Sequence, residues 1–253
     1  MKLVSHRRYL AILAGLFALL WIVLALDPND RPAWALENAL VLLFAAAMAA
    51  SYRLFPFSRV SYTLIFVFLC LHEIGAHYTY AQVPYDRWFE RAFGFSLDDA
   101  LGFRRNNFDR AIHFSYGLLI AYPVREIFIR IANVRGFWGY FLPLDLTMST
   151  SMLFELFEWI AAEFFGGDLG TAYLGSQGDP WDAQKDMALA SLGALVVMCV
   201  TALINYKFQR DFAAEWADSF RVKHRRPLGE SAVHRGWFRW LSRLRRKLPG
   251  SAP

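Results

Sequence analysis

Residues 9–26 read YLAILAGLFALLWIVLAL, and this run decides the fold. It holds no charged side chain, and only Tyr9 and Trp21 carry a polar atom. A helix rises about 1.5 Å per residue, so the run is long enough to cross a hydrocarbon core about 30 Å thick with modest help from its flanks. Lys2, Arg7 and Arg8 precede it. A basic start before an apolar run also describes a secretory signal. This run is longer than the usual signal core and no small-x-small cleavage site follows it, so it is expected to remain as a membrane span.

Five further runs of the same kind follow, at about 33–50, 60–80, 109–129, 138–165 and 184–206. The expectation is an all-α, polytopic transmembrane bundle of six spans over residues 1–206, followed by a basic tail over 207–253. Pro32 opens the second span, while Pro123 and Pro143 fall in the fourth and fifth, where a helix kinks or ends. Composition agrees. The chain has 253 residues, 56% hydrophobic and 19% charged, with a mean hydropathy of +0.26. A soluble domain is about a quarter charged. Cys70 and Cys199 both lie in apolar runs, which argues against a disulfide framework.

Orientation follows from the basic residues. With the N-terminus inside, 20 of the 27 Lys and Arg fall on inner segments, including Arg53, Arg59, Arg125, Arg130 and Arg135. That satisfies the positive-inside rule and puts both termini in the cytoplasm. The net charge of +5 is thereby explained without nucleic acid, which is not an expected partner. The tail at 234–248 interleaves Trp237, Phe238, Trp240, Leu241 and Leu244 with Arg235, Arg239, Arg243, Arg245 and Arg246. That pattern suits a helix lying on the anionic lipids of the inner leaflet, and equally a solvated tail that only sets topology.

Ionisable side chains inside a membrane are costly and therefore candidates for function. Here they gather in the outer half. The third span carries His72, Glu73 and His77, and the fourth opens with Asp109 and His113. The fifth carries Glu155 and Glu158, and Asp182, Gln184 and Asp186 stand at the start of the sixth. Glu73 and His77, Asp109 and His113, and Asp182 and Asp186 are each four apart and share a helix face. Imidazoles with carboxylates form the ligand set of zinc, iron or manganese; they also serve as general acids and bases or as a proton relay. Glu37, alone in the second span, reads as a packing group, and Asp145 as a partner for Arg125 near the inner boundary.

The string HEIGAH at 72–77 is one residue too long for the zinc-peptidase motif H-E-x-x-H. Five positions at about 100° each leave His72 and His77 about 140° apart, so a straight helix cannot aim both at one ion. The outer segment 166–183, GGDLGTAYLGSQGDPWDA, is glycine-rich and suited to fold over a site as a cap. Its Asp168, Asp179 and Asp182 lack EF-hand spacing. In the other outer loop, Arg104 is placed to pair with Asp109 or to grip an anionic headgroup.

Four segments in order, HEIGAHYTYAQVPY (72–85), RRNNFDRAIHFSYGLLIAYPVREI (104–127), FELFEW (154–159) and GSQGDPWDAQKDM (175–187), resemble the YjdF-type bacterial inner-membrane proteins, a family of unknown function. The resemblance implies a multi-pass helical protein of the inner membrane. The matching positions include His72, His77, Arg104, Asp109, His113, Glu155, Glu158, Gln177, Asp179, Asp182, Gln184 and Asp186. The chain is also similar, more faintly, to the VanZ-like membrane proteins: Asp109, His113, Glu155, Asp186 and Gly193-Ala194 fit that family's order, with Ala190 where an asparagine is usual. That likeness points to cell-envelope chemistry on the outer face.

Three functions are consistent with these residues. The first is a metal-dependent enzyme acting on a lipid or cell-envelope substrate. His72, His77, Asp109, His113, Glu155 and Asp186 would be metal ligands, and Glu73, Glu158 and Asp182 the acid–base groups. Arg104, Gln177, Asp179 and Gln184 would contact substrate. The second is a non-catalytic binding or scaffold protein. The third is a proton- or cation-coupled transporter, for which Arg125, Glu126 and Asp145 are the inner-side candidates. Oligomeric state is not legible.

Overall fold

A computed structural model describes residues 5–165, 167, 176–223 and 236–240. Among the described residues there is no strand, and the main helices are α1 (His6–Ala25), α2 (Arg31–Ser51), α3 (Arg59–His77), α4 (Tyr85–Phe93), α5 (Leu97–Leu101), α6 (Phe108–Ile131), α7 (Trp138–Phe165), α8 (Asp182–Phe208) and α9 (Phe212–Asp218). The starts of the first three are written in the sequence. Ser5, Asp30 and Ser58 each cap a helix by accepting from a backbone N–H three residues on, and Pro32 sits in the first turn of α2, where its missing N–H is harmless.

Four helices, α1, α2, α3 and α8, are long and apolar enough to span a membrane by composition alone. The other two expected spans, α6 and α7, run 24 and 28 residues. Their charges lower their hydropathy, but both are packed into the same bundle. α6 is its centre, packing on α3, α7 and most extensively α8; α1 and α2 pack on α3. α1 buries no residue at all, and Leu16, Leu19 and Ile22 are each more than half exposed. In water such a surface would drive aggregation; in lipid it is satisfied.

The α6–α8 contact is made by small residues. Down α6, Asp109, His113, Gly117 and Ala121 follow one another every fourth position; down α8, Asp182, Asp186, Ala190, Ala194 and Met198 do the same. Asp109 and His113 meet Asp186 at one end and Gly117 meets Ala190 and Ala194 beyond it, so the helices run in the same direction and the stripes lie in parallel; the positive-inside expectation makes the acidic end the outer one. A Cβ on Gly117 would collide with the Ala190 carbonyl, and one on Gly193 with the Phe114 carbonyl. The backbones touch, as small-residue interfaces in membranes allow. α7 has its own buried stripe, Pro143, Thr147, Ser151 and Glu155.

At the inner end the structure corrects one expectation. Arg125 lies over the Tyr140 ring, 4.6 Å from its centroid, while Asp145 is exposed and does not pair with it. Glu126 accepts from the Ser58 N–H (2.9 Å), the Ser61 hydroxyl (2.6 Å) and Arg130 (2.6 Å), which accounts for it as a structural lock. α9 begins the segment after α8, and its Phe212 and Trp216 pack against Tyr140. Residues 236–240 are helical, with Trp237 and Trp240 exposed; the rest of the basic amphipathic pattern at 234–248 lies outside the described residues, as does Asp168 in the glycine-rich segment.

Candidate functional site

The outer ends of the stripes bring their ionisable residues face to face. One ligand atom each from Asp109, His113 and Asp186 lies within 4.8 Å of the others. His113 Nε2 stands 3.7 Å from Asp109 Oδ1 and 3.4 Å from Glu155 Oε1. Donor atoms bound at 2.0–2.1 Å around a tetrahedral ion are about 3.4 Å apart, so the set could hold a transition metal after closing by up to about 1.4 Å. Asp186 is 2% exposed and Glu155 8%, and Asp186 Oδ1 and Glu155 Oε1 have no hydrogen-bond partner. Buried carboxylate oxygens are normally satisfied, so these two are available to a cation or a proton.

Across the bundle stands a second group. His72 Nδ1 is hydrogen-bonded to the Tyr80 hydroxyl at 2.7 Å, and its Nε2 faces Glu37 Oε2 at 4.0 Å. Glu73 is wholly buried, with neither carboxyl oxygen hydrogen-bonded. Tyr80 arrives there through an unusual turn: Thr79 and Tyr80 have φ of 55° and 50°, and the ring lies against Gly75, where any side chain would strike it.

Between the two groups lies a cavity of about 270 Å³, walled by α2, α3, α6 and α7. His72, Tyr80, Asp109, His113 and Glu158 form its outer end, and Phe44, Phe68, Ile120 and Phe154 its deeper walls. A second cavity of about 330 Å³ lies between α7, the start of α8 and residues 176–180. Glu158 lines both.

The outer rim is held by charge. Arg105 donates to Asp182 at 2.6 Å and to the Ser176 carbonyl at 2.6 Å. Arg110 and Lys185 each reach Asp179 at 2.5 Å. Lys185, the Trp181 N–H and Arg110 hold the Asp179 carboxyl down at about 2. The loop before α6 is pinned as well: Tyr85 donates to Asp98 and accepts from the Asn107 N–H at 3.1 Å, and burial together with that bond to Asp98 pushes its phenol up to about 12.

Residues 9–207 match a family described as "Predicted membrane protein (DUF2238)". The chain belongs to this family. It is 35% identical over 195 residues to the "Inner membrane protein YjdF" of Escherichia coli (strain K12), an alignment covering 77% of this chain and 89% of that protein. No solved structure matches it. The matched span contains the six long helices but for the first three residues of α1 and the last of α8, and every group in the two clusters, so the site lies within the part that the family model matches.

The residues singled out by sequence divide between these places. Asp109, His113, Glu155 and Asp186 converge; His72 and Glu158 face the first cavity, and Glu73 is buried behind it. His77 points elsewhere, its Nδ1 against the Leu24 carbonyl of α1 at 2.8 Å, as the 140° separation requires. Asp179 and Asp182 belong to the salt-bridged rim. Gln177 donates to the Asn106 carbonyl at 3.0 Å, and Gln184 is exposed beside the second cavity. Arg104 is exposed, and its neighbour Arg105 reaches the rim instead. Sequence reasoning missed Arg105, Arg110 and Tyr80 as site residues, and it set Glu37 aside as packing although Glu37 faces His72. Glu37 alone left a signal, an acid within an apolar span.

Proposed function

We propose that the chain is a metal-dependent enzyme of the inner membrane acting on a lipid or lipid-linked envelope substrate within the outer half of the bilayer. The observation that carries this is the convergence of Asp109, His113 and Asp186, with Glu155 beside them, on one buried point where two carboxylate oxygens lack partners. Those four residues are the proposed ligands, a set suited to zinc, iron or manganese. An ion held there would supply Lewis acidity at a substrate oxygen.

The remaining groups are this chain's own contribution. Glu158, on the wall shared by both cavities, is placed to move a proton between them. The His72–Tyr80 pair presents a fixed hydrogen-bonding edge to whatever occupies the first cavity. Arg105 and Arg110 position Asp182, and with it the start of α8 that carries Asp186.

Elemental analysis of the detergent-purified protein tests this reading, alongside a His113→Ala/Asp186→Ala variant whose helicity and elution are checked first. The expected result is about one zinc, iron or manganese per chain, lost in the variant. A native protein that holds no metal, even after incubation with each ion, overturns the metal-dependent enzyme and leaves the cluster as a hydrogen-bonded core or a proton path.

A further inference from the structure

The first cavity has one wall that is not closed by helix packing. α2 packs on α3, and α7 packs on α6 and α8. Yet Leu40, Val41 and Phe44 of α2 and Thr150, Ser151 and Phe154 of α7 line the same space. Leu40 and Phe44 are each 39% exposed while lining it, so the cavity opens sideways between α2 and α7 towards the lipid.

Its lining changes with depth. On α6 it uses Asp109, Ile112, His113, Tyr116 and Ile120, a single helix face. At about 1.5 Å per residue that face covers roughly 16 Å from the outer end to mid-bundle. Below His113 the polar residues that α6 and α7 contribute to the described lining are Tyr116, Thr150 and Ser151, and the Tyr116 and Thr150 hydroxyls are bonded to each other at 2.7 Å. The deep part therefore presents apolar surface to its occupant.

The outer end is acidic and hydrogen-bonding, with Asp109, Glu158, His72, His113 and Tyr80. Among the described residues, no Lys or Arg lines it. The nearby cations Arg105, Arg110 and Lys185 are committed to Asp179 and Asp182 on the rim. Even with a divalent ion on Asp109, His113, Glu155 and Asp186, three carboxylates outweigh its charge, so a phosphate or carboxylate headgroup would meet acids with no side-chain cation among the described lining residues to offset them. A hydroxyl or an amine would donate to those same groups.

From this geometry we infer that the cavity is a lateral lipid site: a single-chain amphiphile with a hydroxyl or amine headgroup enters between α2 and α7 from the outer leaflet. Its headgroup sits among His72, Tyr80, Asp109 and Glu158, and its chain runs down to Phe44 and Ile120. This deepens the proposed function by naming the class of substrate, and it rests on that reading only for the chemistry, not for the binding.

The test uses the full chain in detergent with three probes, a 16-carbon amine, alcohol and carboxylate, each carrying a diazirine near the methyl end. After irradiation the cross-links are mapped by mass spectrometry. The amine and alcohol are expected to label peptides containing Phe44, Ile120 or Thr150, and the carboxylate at least about fivefold less. Leu40→Trp, which narrows the mouth, and Ile120→Trp, which fills the floor, should each remove this labelling; Leu203→Trp on the lipid face of α8 should leave it intact. Labelling spread over exposed faces and unchanged by either cavity variant overturns the site. Equal or stronger labelling by the carboxylate overturns the headgroup assignment. Metal content measured on the same samples separates the two proposals: labelling without metal removes the metal-dependent enzyme and keeps the lipid site, and metal without labelling does the reverse.

Discussion

Gly117→Ala tests the link between helix packing and the site with the smallest possible change. A Cβ built at residue 117 would lie 2.6 Å from the Ala194 nitrogen and 2.8 Å from the Ala190 carbonyl carbon, and closer still to the Ala190 oxygen. Ordinary contact begins near 3.4 Å, so relief requires a shift of at least about 0.8 Å. All three atoms are backbone, and no side-chain rotation relieves the overlap; α6 must move off α8. Overpacking of this kind costs about 1–3 kcal/mol. The movement also separates Asp109 and His113 on α6 from Asp186 on α8. Metal sites tolerate only about 0.2 Å in ligand distance, and disturbances that leave the ligands themselves in place typically cost about 10–100-fold in affinity. The variant should therefore unfold at lower denaturant in detergent and lose bound metal together. Gly15→Ala is the control: nothing lies within 4 Å of its Cβ, and alanine in a helix is favoured by up to about 1 kcal/mol. Gly193→Ala, whose Cβ would fall 2.8 Å from the Leu118 nitrogen, should repeat the loss. A Gly117→Ala protein as stable and as metal-loaded as the parent would refute the argument that backbone contact between α6 and α8 sets the site.

Two further outcomes are expected at the rim. Arg105→Ala leaves Asp182, 8% exposed at its side chain, with only Arg110 at 3.4 Å; stability should fall by about 3 kcal/mol, the low end for a broken buried pair. Replacing both partners as Arg105→Met/Asp182→Leu should recover much of that loss in thermal melts, and a double variant weaker than the single would contradict the buried-pair account. Asp179 gives a pH signature. Its folded value lies below the ordinary 3.8, near 2, chiefly through Lys185. The stabilisation is complete above the ordinary value and is lost as the pH falls through about 2. Asp179→Asn should flatten the acid limb of the melting profile, and an unchanged limb would mean that the pairing contributes nothing.

Much of this was legible where periodicity carried it. All six expected spans are helices here, four of them long and apolar enough to cross a membrane by composition, and α6 and α7 pack into the same bundle. The four-residue spacing of Asp109 with His113, and of Asp182 with Asp186, placed each pair on one face, and those faces meet. The angle between His72 and His77 argues against one ion holding both, although the sequence reading counts both as ligands; which of them turns away from the cavity depends on where α1 packs. Arg104 and Arg105 are neighbours in a loop without periodic structure, so only the tertiary fold decides which reaches Asp182. Tyr80 lies beyond the end of α3, carried back by two residues of positive φ that no residue pattern announces.

The stripes explain why the site stands where it does. In α6 and α8 the same four-residue register that places acids and imidazole near the outer surface places Gly117, Ala121, Ala190 and Ala194 beneath them. Small residues at depth let the backbones touch without any polar group in the hydrocarbon. That contact forces the ionisable ends together at a spacing too short for several bare carboxylates. On α7, Thr147 and Ser151 play the same part below Glu155. The small residues alone supply the packing, and Asp186 Oδ1 and Glu155 Oε1, without hydrogen-bond partners at the top of the stripes, are not needed for it. The packing thus concentrates acidic side chains at one point where a cation or protons could be held, and that convergence is the feature the proposed function takes up.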